Sequence, residues 1–163
     1  MRKKMKKLAM AFSGPSNSGK TTLITKLAKY FIDEGLKVLV LKHDPSDKAQ
    51  IDVKGKDSFK FYESGADVMV LSPTRTSFFT HQSLSIDECI KLAGEFDLFL
   101  VEGLKHLALP RISVFYKELD ESYFEYSQAI ASYEKVENDK VTWLHLDDIK
   151  GIGEYILANA KRC

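Results

Sequence analysis

A chain of 163 residues, 44% apolar and 29% charged, has the make-up of one folded domain with a real core and too little length for two comfortable ones. Its formal charge of +1 excludes a broad phosphate-neutralising surface of the kind nucleic-acid binders carry. No apolar run reaches the ~18 residues of a membrane helix, and Leu8 to Phe12 is too short for the core of a signal peptide. The basic cluster Arg2, Lys3, Lys4, Lys6 and Lys7 reads as a solvated N-terminus. Cys89 and Cys163 form neither a disulfide framework nor a Cys-x-x-Cys metal site. The expectation is a cytoplasmic protein, a single domain over 1–163, that contacts neither nucleic acid nor membrane.

The elements follow in order. Leu8 to Phe12 is a continuous apolar run, as expected of a strand buried on both faces. After a glycine-containing loop, Leu23, Ile24, Leu27, Ala28, Phe31 and Ile32 recur with helical period, and Gly35 supplies the stop. Val38 to Leu41 is a second buried strand, which completes a strand–helix–strand unit. Asp57 to Ser64 is predicted to be a short helix capped by Asp57 and ended by Gly65. Val68 to Leu71 and Ser77 to Thr80 read as strands. Ser85 and Glu88 have capping-box spacing at the start of a helix running to about Glu95. Leu98 to Val101, Ile112 to Phe115, Ala129 to Ala131 and Val141 to Leu144 are further strands, and Asp148 to Ala160 closes the chain as a helix. The alternation implies an α/β fold: a mostly parallel sheet with helices on both faces, with ligands at the carboxyl ends of the strands.

Between the first strand and first helix stands Gly14-Pro15-Ser16-Asn17-Ser18-Gly19-Lys20-Thr21, a match to the P-loop pattern G-x-x-x-x-G-K-[ST]. Small residues let successive backbone N–H groups converge on phosphate oxygens, and the helix adds its positive N-terminus. Lys20 places a charge near the β and γ phosphates, Thr21 offers its hydroxyl to Mg²⁺, and Thr22 is a helix residue within reach of phosphate. The strand ending Leu98 to Val101 runs into Glu102, at the end where a P-loop site needs a carboxylate for the metal or the attacking water. Glu102 is therefore the candidate metal-binding and catalytic acid, while Asp97 lies at the wrong end of the strand. Asp44, after the second strand, is a second candidate for the metal or its waters. Weaker candidates for ligand or phosphate contacts are His43 and His106, which two-residue arithmetic makes hydrogen-bonding residues rather than a zinc site, together with Asp57 and Arg75. No Asn-Lys-x-Asp follows the strand ending near Ser132, where many GTPases read guanine, so the base is not legible from motifs.

Several pieces together resemble the molybdopterin-guanine dinucleotide biosynthesis adaptor protein family (MobB): GPSNSGKTT, LKHD, DVKGKDSFKFYESGAD, LSPTR, DLFLVEGLKH, PRISVF and LHLDDIKGIGEYIL. They run from Leu8 to about Leu157. Where the family often carries further histidines after its second strand, this chain has Asp44-Pro45-Ser46-Asp47. The resemblance implies a P-loop NTPase fold and a GTP-binding accessory protein with slow GTP hydrolysis. Its partner would be the molybdenum cofactor guanylyltransferase that attaches GMP to molybdopterin, and it would act as a homodimer. Whether molybdopterin itself binds is left open. The aromatic stretch Ile112 to Tyr116, with Tyr123, Phe124 and Tyr126, either packs under the sheet or forms a self-complementary interface, and the resemblance to a dimeric family favours the interface. The rival class is a P-loop small-molecule or nucleotide kinase, in which Glu102, Asp44 or Asp57 would activate an acceptor hydroxyl. A metal-delivery GTPase is disfavoured by the missing guanine motif and the lack of a His/Cys-rich tract.

Overall fold

Strand β1 (Leu8–Ser13) is buried along nearly its whole length because it sits in the middle of a sheet rather than at its edge. The computed structural model describes residues 7–49 and 52–163; Arg2, Lys3, Lys4 and Lys6 of the basic cluster lie outside the described residues. Two compact units emerge: residues up to His43 together with Glu95–Cys163, and the intervening Asp44–Gly94.

The larger unit holds the sheet. Its strands are β1, β2 (Val38–Lys42), and, after the inserted unit, the runs Leu98–Glu102, Arg111–Phe115, Ala129–Ser132 and Thr142–His145, with a two-residue strand at Lys161–Arg162. The inserted unit contributes β3 (Val68–Leu71) and β4 (Thr76–Phe79), so in chain order the later strands are β5 to β9. The sheet order is β2-β5-β1-β6-β7-β8, every pair parallel. β9 runs antiparallel beside the start of β1, pairing Leu8 with Arg162 where β6 does not reach. Parallel strands need crossovers, and crossovers put helices on the faces.

Helix α1 (Lys20–Asp33) buries Leu23, Ile24, Leu27 and Phe31; of the other two periodic positions Ala28 is half-buried and Ile32 is 57% exposed. With α4 (Ile149–Asn159), which contributes Ile152 and Ile156, it covers Met10, Phe12, Leu98, Leu100, Ile112 and Val114. Side chains alternate along a strand, so Phe115 and Ile130 point to the opposite face. There they pack with Tyr123 from a 3-10 helix, Glu121–Tyr126, and with Val141. Phe115 is only 1% exposed and Tyr123 8%, and their rings meet edge to face at 5.5 Å. The stretch expected to present a dimer face is thus largely interior. The aromatic density is accounted for by the second core that the back of the sheet requires.

The inserted unit contains α2 (Asp57–Glu63), α3 (Ile86–Ala93) and the antiparallel hairpin of β3 and β4, which forms its own two-stranded sheet. The α3 boundary carries the capping box expected: Ser85 Oγ accepts from the Glu88 amide, and Glu88 accepts from the Ser85 amide. Its end comes earlier than expected because Gly94 has φ of +72°. Asp57 is not the cap of α2. Lys56 holds the extended cap conformation, Asp57 is already in the first turn, and its carboxylate meets Lys60 Nζ at 3.4 Å in solvent. A first-turn acid favours the helix end by charge without accepting a cap hydrogen bond.

Candidate functional site

The loop from Gly14 to Gly19 closes tightly on itself. Gly14 has φ of +138°, and a Cβ there would lie 2.5 Å from the Val114 carbonyl and 2.6 Å from Ser18 Oγ. No side chain fits, which is why the pattern opens on glycine. Asn17 takes φ of 59°, a conformation asparagine tolerates better than most residues. Gly19 then caps α1 with no side-chain hydrogen bond, leaving the first-turn amides of the helix pointing out of its end. These amides converge beside a polar cavity of about 430 Å³ lined by Ser16 to Thr22, Lys42 and Glu102.

Lys20 reaches back over the loop. Its ammonium donates to Gly14 O at 2.9 Å, Pro15 O at 2.6 Å and Ser18 Oγ at 3.4 Å. Burial lowers its pKa most; Glu102 opposes that by attraction, and Lys42 and Lys105 add to it by repulsion. An added anion would relieve both the burial penalty and the crowding of cations.

Glu102 ends β5, the strand between β1 and β2, and stands in register with Phe12 on one side and Lys42 on the other. Thr21 Oγ1 donates to Glu102 Oε2 at 3.4 Å. The two sequence-derived Mg²⁺ candidates, 81 residues apart in the chain, are therefore neighbours. A hydroxyl, one carboxylate and a phosphate-binding loop are what Mg²⁺ takes from protein when nucleotide oxygens and water complete its octahedron. The residues fit that ion held with a nucleotide. Among the described residues no three His, Cys, Asp or Glu side chains form a self-sufficient metal cage.

His43 follows β2 and lies against the end of β5: its amide donates to Glu102 O at 3.0 Å, and a Cβ on Gly103 would lie 3.2 Å from His43 Cβ. His106 is exposed in the loop after β5. Asp44, Asp57 and Arg75 belong to the inserted unit. The Asp44 carboxylate accepts from the amides of Lys48 at 2.7 Å and Ala49 at 2.6 Å, and so shapes its own turn. Arg75 lies in the β3–β4 turn, where its carbonyl accepts from the Ser72 amide and hydroxyl. Asp97, set aside at the far end of β5, accepts from the Lys37 amide at 2.7 Å.

Sequence reasoning missed Arg111. It is 1% exposed and held beneath the site. Its guanidinium donates to Ser13 Oγ at 2.7 Å, Gly103 O at 3.1 Å, Leu104 O at 2.9 Å and Leu107 O at 3.4 Å. One side chain thus ties the end of β1, where the P-loop begins, to the loop that follows Glu102. Burial lowers its pKa, with partial compensation from Tyr126. The only signal was an arginine opening an apolar strand, a position that reads equally well as a strand boundary. Lys42 was passed over for a similar reason, being the last residue of a strand whose pattern was already explained.

The family model described as molybdopterin guanine dinucleotide synthesis protein B matches residues 9–133. A "Molybdopterin-guanine dinucleotide biosynthesis adapter protein" of Haemophilus influenzae is 33% identical over 158 residues, covering 90% of this chain and 86% of that one. A crystal structure of molybdopterin-guanine biosynthesis protein B superposes with a TM-score of 0.71 at 31% identity, over 93% of this chain and 97% of that chain. Bacillus subtilis MobB, at 23% identity, shares the fold with a TM-score of 0.77 over 94% and 98%. With the family model spanning the P-loop, the inserted unit and the strand that bears Glu102, the chain belongs to the molybdopterin guanine dinucleotide synthesis protein B family.

Proposed function

We propose that this chain is a GTP-binding adapter with slow GTPase activity, assisting the cytoplasmic guanylyltransferase that joins GMP to molybdopterin. The observation that carries the reading is the meeting of Thr21 with Glu102 beside the Lys20 loop, in a chain whose relatives are named for molybdopterin-guanine dinucleotide biosynthesis. The α1 amides and Lys20 would hold the β and γ phosphates. Thr21 and Glu102 would hold Mg²⁺, which when bound neutralises phosphate charge. Glu102, through its free carboxylate oxygen, would orient a water towards the γ-phosphate. Asp44 is engaged by backbone amides of its own turn, so Glu102 is the better acid. Among the described residues lining the cavity Glu102 is the one carboxylate, an arrangement that suits slow turnover and a switching role.

The homodimer is part of the proposal, with its contact moved. Phe115 is interior, whereas the inserted unit exposes Leu71 at 81%, Met69 at 65% and Phe61 at 60%. Apolar side chains so exposed support a partner surface.

The test is reconstitution. Guanylyltransferase, molybdopterin, GTP and Mg²⁺ are incubated with and without the chain, and dinucleotide yield is measured. Stimulation lost with Lys20→Ala supports the adapter; unchanged yield sinks it. Phosphoryl transfer to small acceptors in the same mixture would instead favour a kinase.

A further inference from the structure

On the other side of the P-loop from Glu102, the carboxyl ends of β6, β7 and β8 carry Tyr116, Tyr133 and the His145–Asp147 turn. Tyr116, Tyr133 and Leu146 line a shallow hollow of about 80 Å³ together with Gly19, Thr22, Leu23 and Lys26; Asp147 is the residue after Leu146. Tyr116 packs over Gly19, where a Cβ would sit 3.6 Å from the tyrosine Cβ. Tyr116 and Tyr133 meet edge to face at 5.6 Å and stay 53% and 42% exposed. Two aromatic rings are thus left half exposed beside the P-loop, open to a flat ligand.

Behind them the scaffold is braced. Tyr133 donates its hydroxyl to Asp147 Oδ1 at 3.2 Å, and its ring meets His145 at 5.5 Å. The Asp147 amide donates to His145 Nδ1 at 3.3 Å. Trp143 backs His145 at 5.9 Å and donates its indole N–H to Ser132 Oγ at 3.1 Å. Asp147, next in the chain to Leu146 and bonded to Tyr133, is thus held beside the hollow and is exposed to solvent.

We propose that Tyr116, Tyr133 and Asp147 form the nucleobase site, and that Asp147 selects guanine. The inference rests on the nucleotide-binding reading given above and supplies what that reading lacks, a source of base specificity without Asn-Lys-x-Asp. A purine leaving the phosphates past Thr22 stacks on the tyrosine rings, an interaction open to any base. The carboxylate then discriminates. Guanine presents two adjacent donors, N1–H and the 2-amino group, to an acceptor-only carboxylate. Adenine presents N1 as an acceptor on the same edge, which a carboxylate repels. The β7 end thereby reads guanine from the neighbouring β8 turn instead of from its own loop.

The experiment is calorimetric titration of the full chain with the Mg²⁺ complexes of GTP, ATP, XTP and inorganic tripolyphosphate. Wild type is expected to prefer GTP over ATP. Asp147→Asn should lose at least about tenfold in GTP affinity and gain for XTP, whose 2-oxo group accepts from the new amide. Tripolyphosphate affinity should stay unchanged in that variant. Tyr133→Ala should weaken all nucleotides by about tenfold or more while sparing tripolyphosphate, as loss of a stacking surface does; Tyr133→Phe should retain the stacking. Unaltered GTP:XTP preference in Asp147→Asn, with binding intact, overturns the base site alone. A wild type that binds neither nucleotide nor tripolyphosphate overturns the nucleotide reading itself.

Discussion

In the proposed function Lys20 and Glu102 do different work, and their substitutions should separate. Lys20→Ala removes a charged donor from the phosphate loop while leaving the α1 core positions untouched. Triphosphate affinity is expected to fall about ten- to a hundredfold, with the melting temperature nearly unchanged, as a lost charge-assisted hydrogen bond implies; calorimetry and thermal denaturation check both halves. Glu102→Gln keeps the shape and a hydrogen-bond acceptor for Thr21, so GTP binding should persist while hydrolysis slows by ~10²-fold, measured as phosphate release. Arg111 acts through others. Leu104 holds φ of 50°, a strained value for leucine, with its carbonyl taken by the Arg111 guanidinium. Arg111→Met would leave the Gly103 and Leu104 carbonyls without that donor, at a cost of ~2–4 kcal/mol in stability. It should also lower hydrolysis, because the loop that follows Glu102 loses its tether.

At the scale of elements, the α3 capping box gives a pH signature. Ser85, through its hydroxyl and amide, holds the Glu88 carboxyl below its ordinary value of 4.5. The folded helix therefore prefers the ionised form. Its contribution is complete above that ordinary value and fades as pH falls through the lower folded one. Amide exchange across Ile86–Ala93 should rise in that acid window, and Ser85→Ala should remove the pH-dependent part. This box was legible in the sequence because both its members lie within one turn, as was α1, whose four buried positions repeat with helical period. The α2 cap was read one residue late, since Asp57 satisfies the composition of a cap and only the backbone angles of Lys56 decide. Strand β9 was invisible: two exposed basic residues carry no apolar alternation, and pairing with β1 alone makes them a strand. The P-loop pattern could be read because its residues are contiguous. Arg111 and the tyrosine rim could not, because their partners are brought together only by the crossovers of the sheet.

For the whole molecule, the proposed dimer and the interior packing call for different substitutions. Phe115→Ala opens a cavity in the second core and is expected to destabilise the chain by ~3–5 kcal/mol in denaturant titration. Leu71→Asp changes an exposed hairpin side chain. If the inserted unit supports the dimer, that substitution should halve the mass seen by light scattering without shifting the unfolding midpoint by more than about 0.5 kcal/mol. Twice the chain mass persisting in Leu71→Asp would move the contact elsewhere on the molecule.

The position of β1 between β5 and β6 has a consequence for how the protein would look to deuterium. Ala9 to Phe12 and Leu98 to Val101 are almost wholly buried, with strands on both sides of Ala11, Phe12 and the whole run Leu98 to Val101, so their amides should exchange only through global unfolding. A few residues further on, the loop amides at the start of α1 face the polar cavity and have no helical acceptor. The chain therefore places fast- and slow-exchanging amides within about ten residues of each other. GTP should slow the first set many-fold and alter the second only by the mass-action gain in overall stability. That contrast would give a residue-resolved reading of loop occupancy independent of any measurement of turnover.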